Sequence, residues 1–268
     1  MLITSRDNSL LRQARAVRDG KEDGLIYVEG LRLCEEALRS GLRIEAVIYS
    51  EELAAKEKAA PLITELTQNS NRAASVSEKL LESISYTKTP QGVVALASRP
   101  DSTLQSFESK QKEPQLLVVM HRINNPVNVG AILRTAEAAG ATGVIATAHT
   151  SDPLSPKSLR GAMGSAFRLP IWFGTEFREV VSWCSQRGVR TICADVHAKS
   201  RYEEVDWRGP SALILGPESN GLSDEEIALA DDAVTIPMHG NAESLNVAVA
   251  AGVVLYEAAR QRGYLDIR

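Results

Sequence analysis

Short uninterrupted apolar runs that alternate with helical patterns constrain the fold of this chain more than any other feature. The run Leu-Leu-Val-Val-Met at 116–120 has no polar residue on either alternating face, so it predicts a strand buried on both faces. Comparable runs occur at 143–146 and 212–215, and stretches with apolar residues at helical spacing lie between them. Strands that alternate with helices indicate an α/β fold in which helices cover a sheet.

The first hundred residues show the same alternation on a smaller scale and predict a separate α/β domain at 1–98. The segment 99–114 is polar, lacks apolar periodicity and is bounded by two prolines, so we predict a linker there. The second domain then covers 115–268, and a chain of 268 residues is long enough for two cores. The first domain contains no cluster of catalytic residue types, which favours a role in substrate recognition.

Charge and composition limit the classes of partner. A net charge of -4 and a pI of about 5.7 argue against a protein that coats nucleic acid indiscriminately. Arginines spaced three apart on a predicted helix at 8–19 form a basic stripe, which is usually only a solvated face. Further basic residues stand among small residues at 151–168, where close backbone approach, for example to a phosphate, is favoured. The basic residues of these stretches are Arg12, Arg15, Arg18, Lys157 and Arg160, with Arg32 and Lys88 elsewhere in the first hundred residues and Arg168 in the second stretch, and they become candidates for a nucleic-acid-binding face only if the rest of the protein handles RNA.

The cysteine and histidine content predicts no metal site. Three cysteines form no CxxC pair, which is typical of buried thiols in a reducing cytoplasm. The four histidines, including His121, show no triad or ligand spacing, and we interpret them as incidental. The charged N-terminus is unlike a signal peptide, and no run reaches the ~20 apolar residues of a membrane span. We therefore predict a cytoplasmic protein without membrane or metal.

One stretch changes character abruptly at Ser244. Residues 236–243 have the composition of a strand end and a loop, whereas apolar residues at helical spacing follow. Ser244, Leu245 and Asn246 therefore stand where a helix begins and its free N–H groups are available to a ligand. The simpler alternative makes Ser244 an N-cap and Asn246 a polar residue of the first turn.

Two more loops at predicted strand ends carry polar candidates. Asn128 stands at the start of a predicted helix at 129–139, with Arg134 six residues later; an N-cap and a surface arginine are the alternatives. In the second loop, Gly216 and Gly221 bracket Glu218, which could also be an ordinary loop hydrogen-bonding group. Neither loop has the Gly-x-Gly-x-x-Gly or P-loop pattern, so a dinucleotide-dependent oxidoreductase is disfavoured.

Together the three loops resemble the signature motifs of the SpoU (TrmH) family of RNA ribose 2′-O-methyltransferases. The motifs are NxGxxxR, GPExxGL, and IPM followed by ESLNVAVA, and the resemblance covers 116–262. The first hundred residues resemble, more weakly, the L30e-like substrate-binding domain of rRNA-modifying members. Ser219 and Asn220 stand where many members have glycine, and Ala248 where many have serine.

The resemblance implies a C-terminal trefoil-knotted SPOUT methyltransferase domain, a parallel sheet with helices on both faces, behind a small N-terminal L30e-like α/β domain. It further implies a homodimer through the knotted domain and S-adenosyl-L-methionine as cofactor. The matching cofactor-binding positions are Leu215, Gly216, Gly221, Ile236, Met238, Leu245 and Thr147. The matching catalytic positions are Arg134, Asn128, Glu218, Ser244 and Asn246.

The family makes the arginine at position 134 the base that activates the 2′-hydroxyl. Because a guanidinium keeps its proton in proteins, our hypothesis is that Arg134 grips the target phosphate and orients the 2′-oxygen. Glu218 would then position Arg134 or Asn128 by a charge-assisted hydrogen bond. The two-domain layout favours ribosomal RNA, in particular 23S rRNA, as substrate. The alternatives are a tRNA 2′-O-methyltransferase and a non-catalytic RNA-binding ribosome-assembly factor.

Overall fold

A computed structural model of the chain describes residues 1–113 and 115–263. The first hundred residues form ten elements: β1 (Leu2–Ile3), α1 (Ser9–Arg18), β2 (Leu25–Glu29), α2 (Leu31–Arg39), β3 (Ile44–Ser50), α3 (Glu51–Ala54), α4 (Ala60–Gln68), β4 (Ser70–Val76), α5 (Glu78–Glu82) and β5 (Val93–Ser98).

The rest of the described chain contains α6 (Leu104–Ser109), β6 (Leu116–Met120), α7 (Pro126–Ala138), β7 (Gly143–Thr147), α8 (Pro156–Ala162), α9 (Ser165–Arg168), β8 (Ile171–Thr175), α10 (Phe177–Gln186), β9 (Arg190–Ala194), β10 (Ser200–Arg201), β11 (Ser211–Leu215), α11 (Asp224–Ile227), β12 (Asp232–Thr235) and α12 (Val247–Gln261). The alternation of strands and helices predicted from the sequence is therefore confirmed in both halves.

These elements form two compact units. The first comprises Met1–Pro100 together with Leu154–Arg168, and the second comprises Asp101–Pro153 and the described residues from Leu169 onward. Where the sequence predicts a polar linker, the structure has helix α6, whose Phe107 is only 1% exposed. Phe107 packs edge-on against Trp183, with ring centroids 5.7 Å apart. Leu104 packs on the same core cluster, and Glu108 accepts from Trp183 Nε1 at 2.8 Å, so α6 is anchored in the core of the second unit by apolar packing and a hydrogen bond.

A five-stranded sheet in the order β1-β4-β3-β5-β2 forms the first unit. Strands β1, β4 and β3 run parallel to one another, and β5 is antiparallel to both β3 and β2. Helix α1 begins because the Asn8 side chain accepts from the Leu10 N–H. Its apolar face then packs into the core, where Leu11 and Ala14 are fully buried.

The segment 154–168 is the main departure from the predicted division of the chain. It forms α8 and α9 and belongs to the first unit, although it lies in sequence within the predicted second domain. The predicted close approach occurs at Gly164, which has φ of 94° and where an added Cβ would lie 2.8 Å from Glu36 Oε2 of α2. The atoms that this Cβ would meet belong to the side chains of Glu36 and Arg168, which are paired with each other.

The second unit is built on a seven-stranded sheet in the order β10-β12-β9-β11-β6-β7-β8, and its pairs are all parallel. Leu117 and Val119 of β6 contribute to a cluster on one face that includes side chains of α6 and α10. Leu116 and Val118 point to the other face and are equally buried. Helices α7 and α12 pack together, and α12 also contacts β11, so helices cover both faces as predicted.

Arg262 fastens the end of α12 to the amino-terminal edge of this sheet. Its guanidinium donates to the backbone carbonyls of Trp207 (2.6 Å), Gly209 (2.5 Å) and Gln115 (2.9 Å). The neighbouring Gln261 side chain accepts from the Trp207 N–H at 2.9 Å. The last described helix is therefore held at the start of β6 and β11 by several charge-assisted hydrogen bonds.

Candidate functional site

The predicted site residues gather at one edge of the second sheet. Strands β6, β7, β11 and β12 are parallel and end at this edge, and open parallel sheets bind ligands beyond the carboxyl ends of their strands. The three motif loops follow β6, β11 and β12. The parallel strand order β12-β9-β11-β6 thus brings all three loops to the same end of the sheet.

Glu218 joins the first motif loop to the second. Its carboxylate accepts from the backbone N–H groups of Asn124 (3.3 Å) and Asn125 (3.4 Å), and from Nδ2 of Asn128 (3.0 Å). The third motif loop joins the same chain of bonds, because Asn246 Nδ2 donates to Asn128 Oδ1 at 3.2 Å. The carboxylate therefore fixes the amide orientation of Asn128, and Asn128 in turn positions Asn246.

The structure changes which residues cap the two helices. Helix α12 begins after Asn246, whose Oδ1 accepts from the Ala248 N–H, so Asn246 and not Ser244 is the N-cap. Ser244 lies exposed in the preceding loop. Helix α7 begins earlier than predicted because Asn125 caps it and Pro126 occupies its first position. Asn128 thus lies inside the first turn and is 8% exposed.

Arg134 is separate from this network. It lies six residues after Asn128 on α7, which is about 240° around a helix, and its side chain is exposed. Among residues 1–113 and 115–263 it has no hydrogen-bond or ion-pair partner. Of the two partners predicted for Glu218, the structure pairs Asn128 and not Arg134 with the carboxylate.

The turn after β11 has the tight shape that a cradle for a flat ligand requires. An added Cβ at Gly216 would lie 2.8 Å from Leu222 Cγ and 2.9 Å from the Leu222 nitrogen, and Gly221 has φ of 64°. Both glycines are therefore required by the backbone. The third motif loop carries half-buried apolar side chains that could serve as walls for a ligand, namely Ile236, Met238 and Leu245, whereas Leu215 is buried as the last residue of β11. The residues present fit S-adenosylmethionine, which needs apolar walls and backbone polar groups.

Thr147 does not present its side chain to the surface of the site. It is 1% exposed, and its Oγ1 lies 2.9 Å from Nδ1 of His121. Its hydroxyl also accepts from the Arg122 N–H at 3.3 Å. Thr147 therefore supports the loop after β6, and its predicted contact with a cofactor stays a prediction.

His121, which the sequence analysis interprets as incidental, is the main residue that was missed. It directly follows β6, is 5% exposed, and its ring packs on Phe177 with centroids 4.5 Å apart. Its Nε2 lies 3.0 Å from Glu226 Oε1, while Nδ1 faces the Thr147 hydroxyl. A polar residue directly after a buried parallel strand is the signal that could have identified it. The ring links three separate segments, so His121 has a structural role beside the site; that it takes no part in catalysis stays a prediction.

Glu226 is the acceptor at the centre of this second cluster. Besides His121, it accepts from Arg122 at 2.6 Å and from the Ser223 N–H at 2.9 Å as part of the capping box of α11. Burial alone would raise the pKa of Glu226, but the bonds from Ser223 and His121 outweigh it and lower that pKa. Burial, helped by the charge of Arg122, lowers the pKa of His121. A neutral ring that donates from Nε2 and accepts at Nδ1 satisfies these contacts.

In the first unit, the predicted basic stripe is only partly free. Arg12 is exposed, but Arg15 donates to the Arg6 carbonyl at 2.8 Å. Arg18 donates to Asp19 and to the Ser85 carbonyl. Lys157 and Arg160 are both exposed on α8. The cations that this unit offers to an RNA backbone therefore include Arg12, Lys157 and Arg160, whereas Arg15 and Arg18 are engaged in hydrogen bonds within the unit.

Two further features bear on ligand classes. In the described ranges there is no group of three or more His, Cys, Asp or Glu side chains that could hold a metal ion. The helices of the same ranges include none that is long and apolar enough to cross a bilayer. The three cysteines are buried and free, and burial raises the pKa of each thiol to about 12. Thiols with so high a pKa are poor nucleophiles.

Comparison with known proteins agrees with both units. Residues 115–256 match the SpoU rRNA Methylase family, and residues 9–95 match the MRM3-like substrate binding domain. The chain is similar to the 23S rRNA (uridine(2479)-2'-O)-methyltransferase of Streptomyces viridochromogenes, with 32% identity over 97% of this chain and 92% of that protein. The 23S rRNA (guanosine-2'-O-)-methyltransferase RlmB of Ralstonia nicotianae is 37% identical over 70% of this chain and 76% of its own length.

Two solved structures share the whole architecture. The SpoU methyltransferase AviRb from Streptomyces viridochromogenes, in complex with the cofactor AdoMet, superposes with a TM-score of 0.85 at 31% identity, over 95% of this chain and 98% of that one. The AdoMet-bound rRNA methyltransferase from Sinorhizobium meliloti gives a TM-score of 0.83 at 31% identity and covers 97% of both chains.

The fold and the joined loops define a class, that of α/β methyltransferases with a parallel sheet and a small preceding recognition unit. Within that class, the chain belongs to the SpoU rRNA methylase family. The resemblance inferred from the three motifs is thereby confirmed, as is the predicted α/β fold with a parallel sheet and helices on both faces.

Proposed function

We propose that this protein transfers a methyl group from S-adenosylmethionine to a ribose 2′-hydroxyl of 23S ribosomal RNA. The observation that carries the proposal is the hydrogen-bonded chain Glu218, Asn128, Asn246, which joins the three motif loops at the carboxyl edge of the second sheet. Both relatives described above are named as 23S rRNA 2′-O-methyltransferases. A 2′-hydroxyl as the acceptor atom requires RNA and excludes DNA.

The cofactor would be held by the turn that contains Gly216 and Gly221 and by the apolar side chains of Ile236, Met238 and Leu245. Bound there, S-adenosylmethionine supplies an electrophilic methyl group with a good leaving group, so alignment matters more than a metal. The tight packing of Gly216 against Leu222 keeps the backbone of this turn fixed before any ligand arrives. A preorganised turn lowers the entropy cost of binding.

On the RNA side, Asn128 and Asn246 would fix the target nucleotide. Glu218 accepts the Asn128 amide N–H, so it would act as a positioning residue. Exposed Arg134 would contact the phosphate next to the target ribose, because a guanidinium binds phosphate oxygens in a planar fork. The proton of the 2′-hydroxyl would then pass to that phosphate or to water. Ser244 lies exposed in the loop before α12 and would also contact the nucleotide.

The assembly that we propose is a cytoplasmic homodimer through the second unit, with the trefoil knot of the family. Val249 and Tyr256 of α12 are 52% and 45% exposed and lie seven residues apart, so they share one face of the helix with half-buried Val253. An apolar stripe of this kind supports association with a second copy. Membership of the SpoU rRNA methylase family supports the threaded topology.

The first test is transfer of radiolabelled methyl groups from S-adenosylmethionine to total rRNA and total tRNA, with mapping of the alkali-resistant ribose. We expect label at a 2′-oxygen in rRNA and a loss of at least about 100-fold in Arg134→Ala, the lower end for a positioned catalytic group. Arg178→Ala is the matched control, since Arg178 is an exposed arginine on α10. Label in tRNA alone would replace the substrate assignment, and no label on either RNA or on ribosomal subunits, despite cofactor binding, would favour an assembly factor.

Arg134→Lys separates the two roles of the arginine. If Arg134 binds phosphate, the lysine variant should lose affinity for RNA while its rate keeps the pH dependence of the wild type. If it is instead the base, the variant should keep RNA affinity and its rate should rise toward high pH, because a lysine loses its proton near pH 10.

A further inference from the structure

We propose that Tyr86, in the first unit, stacks on an unpaired base of the RNA substrate. The inference deepens the proposed function and rests on RNA as the substrate class. The site is the loop of residues 86–91, here named the Tyr86 loop, which connects α5 to β5. Neither the motifs nor the predicted basic stripe include Tyr86.

The Tyr86 loop is fixed at its beginning by one carboxylate. Glu29, the last residue of β2, accepts from the Tyr86 N–H at 2.8 Å, from the Thr87 N–H at 3.2 Å and from the Thr87 hydroxyl at 2.7 Å. Three donors on one carboxylate form a strong local network. The backbone that carries the Tyr86 ring is therefore held in place before RNA binds.

The end of the loop is fixed as well. The Gln91 side chain accepts from the Leu31 N–H at 3.2 Å, and an added Cβ at Gly30 would lie 2.7 Å from the same Gln91 oxygen. Gly30 has φ of 100°, so a side chain there would be both strained and in collision. A glycine at this position lets the loop close on the start of α2.

On this fixed loop the tyrosine ring faces solvent. Tyr86 is 44% exposed, whereas Tyr27 of the same unit is 1% exposed and donates its hydroxyl to the Ile84 carbonyl. A single exposed aromatic residue is ordinary on a protein surface. A rigid one costs little entropy when a flat partner stacks on it, and aromatic rings are the surfaces on which proteins stack unpaired bases.

Cations next to the ring select RNA over an apolar partner. Arg18 donates to the carbonyl of Ser85, the residue before Tyr86, at 3.3 Å, and Lys88 is exposed two residues after it. Of the nearby carboxylates, Glu29 already accepts three hydrogen bonds and Asp19 is paired with Arg18, so exposed Lys88 is the cation available to a phosphate. The local charge thus complements phosphate, and a base adjoining a bound phosphate is within reach of the ring. A paired base in a continuous duplex is stacked on its neighbours and is not available to it.

Two RNA probes distinguish stacking from charge. The first is a hairpin with an adenosine-rich loop, and the second is a blunt duplex with the sequence of the hairpin stem; fluorescence anisotropy gives Kd for the full-length protein. Tyr86→Ala should weaken hairpin binding about 5- to 100-fold, as loss of one stacked base predicts, and leave duplex binding unchanged. Tyr86→Phe should bind like the wild type. Lys88→Ala should weaken both probes and reduce the dependence of Kd on salt.

Leu2→Ala is the matched control, because Leu2 is an exposed apolar side chain of the same unit at 56% exposure. The inference would be overturned if Tyr86→Ala bound the hairpin as tightly as Leu2→Ala does. It would also be overturned if Tyr86→Ala lost the same affinity for the hairpin and for the duplex. A change of oligomeric mass in Tyr86→Ala would also overturn it, since Tyr86 would then contact a second copy.

The methyl-transfer assay keeps the two proposals separate. In Tyr86→Ala, the KM for rRNA should rise while kcat and the affinity for S-adenosylmethionine stay unchanged. Tyr86-dependent hairpin binding without methylation of any RNA would refute the proposed function and leave the stacking site standing. Methylation with an unchanged KM in Tyr86→Ala would refute the stacking site alone.

Discussion

Glu226 offers the sharpest test of how the candidate site is held together. Its carboxylate accepts from the ring of His121, from the guanidinium of Arg122 and from the N–H of Ser223. Glu226→Ala removes all three interactions and leaves the buried His121 without its acceptor. The same substitution breaks the capping box at the start of α11.

The size of the effect follows from the exposure of each partner. The bond from His121, whose side chain is 6% exposed, has the value of a buried bond to a charged group, about 1.5–3 kcal/mol. The capping bond from Ser223 adds roughly 0.5–1 kcal/mol. Arg122 is 40% exposed, so its ion pair is screened and contributes about 0–1 kcal/mol. We expect the free energy of unfolding to fall by about 2–5 kcal/mol, a large share of a typical 5–15 kcal/mol.

Urea unfolding at fixed protein concentration measures this loss, with Glu225→Ala as the control. Glu225 is exposed in the same turn of α11 and should change stability by less than about 0.5 kcal/mol. Calorimetry should also show the Kd for S-adenosylmethionine raised about tenfold, equivalent to about 1.4 kcal/mol, because α11 continues from the turn of Gly216. Equal stability of the two variants would refute the assignment of Glu226 as the centre of this cluster.

Three further predictions concern other parts of the second unit. Arg262→Ala should lower the free energy of unfolding by about 2–3 kcal/mol, since three carbonyls lose a charged donor. In urea unfolding, Arg262→Lys should recover less than half of this loss, because an ammonium group cannot reach the three carbonyls as a planar guanidinium does. Full recovery in Arg262→Lys would contradict this explanation. Burial lowers the pKa of His121 below its ordinary 6.5, so the unfolded chain binds the extra proton first as pH falls below that value. The free energy of unfolding of the wild type should therefore decrease from pH 7 to 5 more steeply than that of His121→Gln. Parallel pH profiles of the two proteins would contradict a lowered pKa of His121 in the folded state. Val249→Asp should convert a dimer to monomers in sedimentation velocity, whereas a monomeric wild type would remove the proposed interface.

Local sequence patterns determined the secondary structure and the three motif loops. The run at 116–120 forms β6, and the helix predicted at 8–19 forms α1 with Asn8 as its N-cap. These predictions succeeded because apolar periodicity and cap preferences act over a few residues. Motif spacing also identified the family, since the residues of each motif lie close together in the chain.

Cap positions needed the tertiary structure. Ser and Asn have nearly equal preference for an N-cap, so the sequence around 244–246 could not distinguish them. Asn246 is the cap in the structure, and its amide nitrogen also donates to Asn128, 118 residues away. Local propensity does not decide between Ser244 and Asn246 as the N-cap of α12, and the residue that caps the helix is the one that also contacts a distant loop.

The remaining features depend on contacts between segments far apart in the chain. Glu218 meets Asn128 across 90 residues, and His121 meets Glu226 across 105. The segment 154–168 joins the first unit although the predicted boundary lies some forty residues before it. Hydrophobic periodicity specifies which face of an element is buried, but it does not specify which distant element covers that face. Only the packed sheet brings the carboxyl ends of its strands together, and so only the tertiary structure decided which polar side chains form the site.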